Sequence, residues 1–144
     1  MTSRREAVLS ALHQALSSGL AARVVRNEVL PEKVASAGLV IVRDGEPGEP
    51  DVTLNPRTEY YAHRAEIEAY LPRPPGGGGE AGLDALSEAI AATLRPDPSL
   101  GGLCEMVTVS APETGVLAIE GAAPFVSARL TVTLEYLVSD PLTP

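Results

Sequence analysis

The chain has 144 residues, a length that fits one domain with a core of its own. Trp is absent and Phe125 is the only Phe, so that core must be built from Leu, Val, Ile and Ala, with four Tyr at its edges. The formal net charge is −8, and beyond Arg73 only Arg95 and Arg129 oppose nine acids from Glu80 to Asp140, so tight nucleic-acid binding, which draws on Lys and Arg neutralising phosphates, is not expected.

Ser3 and Glu6 stand at capping-box spacing, and Val8, Leu12 and Leu16 follow at four-residue intervals, which predicts a first helix ended by Gly19 as C-cap. Ala22 to Asn27 reads as a strand, and Leu30 to Ala37 as a connector. Leu39 to Val42 is a continuous β-branched apolar run, the pattern of a strand buried on both faces. It stops at Arg43-Asp44-Gly45. Glu46-Pro47-Gly48-Glu49-Pro50 is then expected to form an exposed loop before a short strand at Asp51 to Leu54.

From Thr58 the chain alternates, with Tyr61, His63, Ala65, Ile67, Ala69 and Leu71 on one face and Tyr60, Arg64, Glu66, Glu68 and Tyr70 on the other. Fully extended, that segment spans ~45 Å at about 3.3 Å per residue, which calls for a bend or a projection beyond the sheet. The Pro/Gly stretch from Pro72 to Gly79 cannot hold regular structure and predicts a flexible loop over 72–82.

Leu83, Leu86, Ile90 and Leu94 give a second helix an apolar face, ended by Pro96 and Pro98. Cys104 to Val109 reads as a strand, Leu117 to Glu120 as a short edge strand, and Val126 to Val138 as a strand with one buried face. The expected fold is α+β: a mixed, mostly antiparallel sheet with two helices packed on one face, in the order α-β-β-β-α-β-β. The two long alternating strands should form its centre, within a single domain spanning residues 1–144.

Little here points to catalysis. Cys104 is the sole cysteine, without a neighbouring nucleophile elbow, and is expected to be a buried structural thiol, which leaves a small enzyme using Cys104 as the weaker alternative. His63 has no second His nearby with which to build a metal site, and His13 is expected to face solvent from the first helix. Glu66 and Glu68 share a face with Arg64, as an Arg/Glu ladder would. Gly76 to Gly79 lacks the Lys and Ser/Thr of a phosphate loop. No catalytic residue, cofactor or metal is expected. No run approaches the roughly 20 apolar residues of a membrane helix, so an unprocessed cytoplasmic protein without membrane contact is the expectation.

Three ordered segments carry a resemblance: Gly38-Leu39-Val40-Ile41-Val42-Arg43-Asp44-Gly45 running on through Pro47-Gly48-Glu49-Pro50; Tyr60-Tyr61-x-His63-Arg64-Ala65-Glu66-Ile67-Glu68; and Leu100-Gly101-Gly102-Leu103-Cys104. With the closing Glu120-Gly121-Ala122, the set resembles the tail terminator, or tail completion, proteins of long-tailed bacteriophages and prophages, over nearly the whole chain. The Pro72 to Gly79 loop departs from that pattern.

The resemblance implies a structural virion protein, assembled in the host cytoplasm and located at the neck end of the tail. It implies a ring, commonly a hexamer, that caps the tail tube, stops its polymerisation and joins it to the neck or connector protein. Genome DNA would pass an acidic lumen without specific binding. Another head-tail joining protein, of neck or stopper type, is the alternative. Arg43, Asp44, Glu46, Glu49 and Asp51 of the charged loop, with Arg64, Glu66 and Glu68 of the strand face, are the expected contacts with neighbouring subunits or the tube.

Overall fold

The Ser3 hydroxyl accepts the Glu6 amide at 3.2 Å and opens helix α1, Arg4–Gly19, whose Val8, Leu9, Leu12 and Leu16 are buried. The computed structural model describes residues 2–118 and 124–144. Seven strands and one more helix follow: β1 Arg23–Arg26, β2 Leu39–Glu46, β3 Asp51–Thr53, β4 Thr58–Pro72, α2 Glu80–Leu94, β5 Met106–Val109, β6 Glu113–Leu117 and β7 Phe125–Val138. All seven strands form one sheet in the order β1-β2-β4-β7-β5, with β3 also on β4 and β6 also on β7. Among the described residues, only the β1–β2 pairing is parallel.

The fold is the α+β arrangement expected, and β4 and β7 are its centre. They pair without a register shift from Glu59↔Val138 to Pro72↔Phe125, so alternation in one strand is matched residue for residue in the other. Ala65, Ile67 and Ala69 lie beside Val132, Leu130 and Ala128 on the side that α1 and α2 cover, and join one core with Leu9, Leu12, Leu83 and Ile90. A second cluster sits on the opposite side at one end: Val25, Leu39, Ile41, Tyr70 and Phe125, with Leu30 and Val34 of the connector packed on it. That cluster explains the unbroken apolar run in β2, since Val40 and Val42 enter the main core and Leu39 and Ile41 enter the second.

The outer neighbours of the long pair are broken strands. β2 and β3 lie end to end along β4, and β5 and β6 lie end to end along β7. The Pro47 to Pro50 segment is irregular, with Gly48 and Glu49 exposed as its composition implies, and it runs along the side of β4 from Glu46, opposite Arg64, to Asp51, opposite Tyr60. Between Arg43↔Glu66 and Glu46↔Arg64 two residues, Asp44 and Gly45, face the single Ala65.

Several boundaries differ from expectation for local reasons. Gly19 is the last helical residue, and the cap is Leu20, extended, with its amide on the Leu16 carbonyl. Gly19 instead permits close approach of Thr93 from α2. Pro72 is still paired in β4 and α2 begins at Glu80, so the irregular stretch is 73–79 rather than 72–82; Gly79 caps α2 in the left-handed region that its missing Cβ allows. The edge strand expected at Leu117 to Glu120 lies upstream as β6. Ile119, Glu120 and the Glu120-Gly121-Ala122 motif fall outside the described residues.

Candidate functional site

The side of the sheet facing away from the helices carries the polar half of each long strand. Away from the end covered by the connector, rows of side chains cross it at fixed register: Glu68, Arg129 and Glu113 in one, Arg43, Glu66 and Thr131 in the next, then Glu46, Arg64, Thr133 and Thr108. Strand pairing builds these rows, because directly opposite residues on one face lie within reach of each other. β7 thus contributes Arg129, Thr131, Thr133 and Glu135 to the expected β4 ladder. The signal for them was the period-two pattern shared by the two long strands.

Arg43 donates to Glu68 through Nε at 3.2 Å and Nη2 at 3.4 Å, and the Tyr70 hydroxyl donates to the same carboxylate at 2.7 Å. Against the burial that opposes it, those hydrogen bonds hold the Glu68 carboxyl below its ordinary range. Tyr60 donates to Glu135 at 2.6 Å. Arg64 is exposed and has no carboxylate within 4.0 Å among the described residues. It lines a shallow groove of about 530 Å³ with Gly45, Glu46, Glu66 and Thr131.

The expected contact residues therefore divide. Glu46, Arg64 and Glu66 come together at the groove, and Arg43 joins Glu68 beside it. Glu49 and Asp51 are exposed further along the β2–β3 line, and Asp51 is opposite Tyr60. Asp44 does not point to this face. Its carboxylate receives Arg26 Nε at 2.8 Å and Nη2 at 3.0 Å, its amide donates to the Asn27 side chain at 3.0 Å, and its carbonyl receives His63. A substitution at Asp44 therefore reports on folding as well as on any contact.

Arg26 also grips Glu6 of α1, at 2.6 and 2.9 Å, so one guanidinium ties the helix to the ends of β1 and β2. Arg26 and Ser10 hold the Glu6 carboxyl down at about 2, and Arg26 also lowers Asp44. Because both folded-state values lie below the unfolded ones, this stabilisation is complete above about pH 5 and drains as the pH falls toward 2. Glu6 is partly exposed, so solvent screens much of the effect. The melting temperature of Arg26→Met is expected to fall less steeply than wild type between pH 5 and pH 2.5; parallel curves would show that the triad contributes no pH-dependent stability.

His63 is fully buried on the helix side of β4. Its Nε2 lies 2.5 Å from the Asp44 carbonyl, which can only accept, so Nε2 carries the proton and Nδ1, 3.1 Å from the Tyr136 hydroxyl, accepts. Burial pushes its pKa down, which keeps the ring neutral. Next along the strand, Tyr61 and Arg57 donate to the enclosed Glu59 carboxylate at 2.7 and 2.6 Å, and the Tyr61 and Tyr136 rings lie 5.6 Å apart. This polar chain was not legible in the sequence.

His13 is half-buried rather than solvent-facing, with Nε2 3.3 Å from the Val24 carbonyl on outer strand β1. Cys104 is buried, 3.7 Å from the Pro98 carbonyl, and burial together with Asp97, Glu105 and Glu135 pushes its thiol up to about 11. A thiol so protonated is a poor nucleophile at neutral pH. Compared with protein-family models and with curated proteins, the chain matches none.

Proposed function

We propose that this chain is a structural subunit that closes into a ring, six-membered in the simplest case, on the end of a phage tail tube. There it stops tube growth and offers a surface to the neck. The reading rests on the ordered sequence resemblance and on one geometric observation: a broad, charged sheet face, opposite the helices, with Arg64 exposed and unpaired among the described residues. A ring subunit needs two different complementary surfaces on one protomer, since head-to-tail contacts close only when the rotation fits. A polar face with alternating charge supplies register to such a contact more than raw affinity. The net charge of −8 disfavours crowding of like subunits and favours a monomer until docking, while letting DNA pass without sticking.

Arg64→Glu tests the surface. Its side chain is exposed, so the variant is expected to melt within about 2 °C of wild type, the range of surface substitutions. Rings and capped tubes, counted by negative-stain imaging, are expected to fall at least tenfold, since ~1.4 kcal/mol suffices for that. Rings and caps at wild-type frequency would remove this face from the contact.

A further inference from the structure

We infer that the sheet edge formed by β5 and β6 pairs with the same edge of a second copy, β5 of each chain adding to β6 of the other about a two-fold axis; the inference stands without the tail-tube reading. The two borders of the sheet are unlike. On β1 the outer side is covered from its own chain: His13 of α1 lies 3.3 Å from the Val24 carbonyl, and the strand carries Arg23 and Arg26, charges of the kind that discourage edge pairing. β5 and β6 have neither device within their paired stretches. Ser110 donates its amide to the Thr131 carbonyl, so the odd-numbered residues of β7 turn their backbone groups to this edge and meet Met106 and Thr108 of β5 and Glu113, Gly115 and Leu117 of β6. The N–H and C=O groups of Val107, Val109, Thr114 and Val116 therefore point outward, and among the described residues no backbone group pairs with them. An extended strand is the structure that offers donors and acceptors at that two-residue spacing.

What selects a second copy is the match between the two strands. Both run antiparallel to β7, so a two-fold axis normal to the sheet sets each β5 antiparallel to the other copy's β6 and keeps helix side on helix side. Full overlap of Met106–Val109 with Thr114–Leu117 gives one register: Met106 opposite Leu117, Val107 opposite Val116, Thr108 opposite Gly115 and Val109 opposite Thr114. In it outward-bonding residues meet outward-bonding residues. The faces agree as well, since Val107, Val109, Thr114 and Val116 all lie beside main-core residues of β7 on the helix side, with Met106 and Leu117 on the other. The large apolar side chains exposed along this edge among the described residues, Met106 at 44 %, Val116 at 56 % and Leu117 at 37 %, each gain an apolar neighbour. Val116 also reaches the open groove of about 390 Å³ between β5 and the end of α2, where Ala91, Leu94 and Pro98 line it. None of the paired residues is charged, so the contact buries no ion although the chain carries −8 overall. That like charge opposes the approach of two copies, so the pair strengthens as salt screens it. The contact is isologous and closes at two copies.

The test uses the full-length double variant Met106→Cys/Leu117→Cys under mild oxidation. Within one chain these positions lie opposite Glu135 and Phe125 of β7, roughly 30 Å apart at about 3.3 Å per residue, too far for a disulfide. Across the two-fold they form a non-hydrogen-bonded pair with Cα atoms about 4.5 Å apart, within disulfide reach. The native Cys104 is buried. Covalent dimers, with the linkage between positions 106 and 117 mapped by mass spectrometry, are expected to exceed those of either single variant several-fold and to increase as salt is raised. Val116→Pro, added to the double variant, removes an outward N–H and none that faces β7, and is expected to cut the dimer about tenfold while the reduced chain stays folded. Val116→Asp, exposed in the single chain and set against an apolar groove in the pair, is expected to give the same loss without a backbone change. Linkages chiefly between like positions, equal yields from the single variants, monomer alone at every salt and protein concentration, or dimers that survive the Val116 substitutions in a folded chain each overturn the inference.

Discussion

Gly45→Ala is expected to lower the melting temperature by about 10 °C or more. Gly45 sits at φ +66° in the bulge between β2 and β4, and an added Cβ would fall inside the Arg64 carbonyl oxygen, a backbone atom of the central strand. The bulge has nowhere to move: Asp44 on one side is held by Arg26, Asn27 and His63, and Glu46 on the other is already registered on Arg64. The left-handed conformation alone costs a side chain about 1–2 kcal/mol. The clash with a fixed carbonyl adds to it, for a total of about 3 kcal/mol or more, at the upper end of single-residue effects. For a domain of this size each kcal/mol corresponds to about 3–4 °C.

Gly48→Ala separates the two contributions. Gly48 has φ +70° but nothing within 4 Å of an added Cβ, so only the conformational cost applies, and a drop of about 3–7 °C is expected. Equal shifts at both positions, read by calorimetry, would mean that the bulge yields and the clash is relieved.

His63→Leu is expected to cost about 2–5 kcal/mol. The volume is nearly kept, so the loss is not chiefly one of packing. Leucine leaves the Asp44 carbonyl without its ring donor and the Tyr136 hydroxyl without its acceptor, and each polar group so stranded in a buried site costs about 1–3 kcal/mol. Tyr136→Phe removes one hydroxyl and leaves only His63 Nδ1 unpaired, so about half the effect is expected. Chemical denaturation of the two single variants and the double variant checks this: strict additivity would show that the two side chains do not act as one network.

What could be read in advance follows from period. β4, β7 and both helices announce themselves because a buried stripe recurs every second residue or every third and fourth, and the length of each pattern fixes the element. β2 was legible for another reason, its apolar run meaning two covered faces, although nothing in the run said that Leu30 and Val34 of the connector cover one of them. Arg43-Asp44-Gly45 reads as the end of a strand, yet β2 runs on through a bulge to Glu46; Pro47 to Pro50 form the irregular stretch their composition implies, and only the register shows that it runs beside β4 from β2 to β3.

The candidate surface was legible to the same extent. Arg64, Glu66 and Glu68 share a face by alternation, and the structure adds β7 to them by register. Asp44 was grouped with the contact residues because charge in a Pro/Gly context reads as solvent-facing. Its ties to Arg26, Asn27 and His63 span long separations along the chain that no local pattern encodes.

The central proposal is a ring that ends a tail tube. Its most direct test is the length distribution of tails assembled with and without this protein, with the labelled chain located on the particles by electron microscopy. A narrow distribution with the label between tube and neck, broadening to tails of uncontrolled length when the protein is absent, is the predicted result. Tails of unchanged length without the protein would contradict it, and a label confined to the capsid side of the neck would assign the chain to head closure instead.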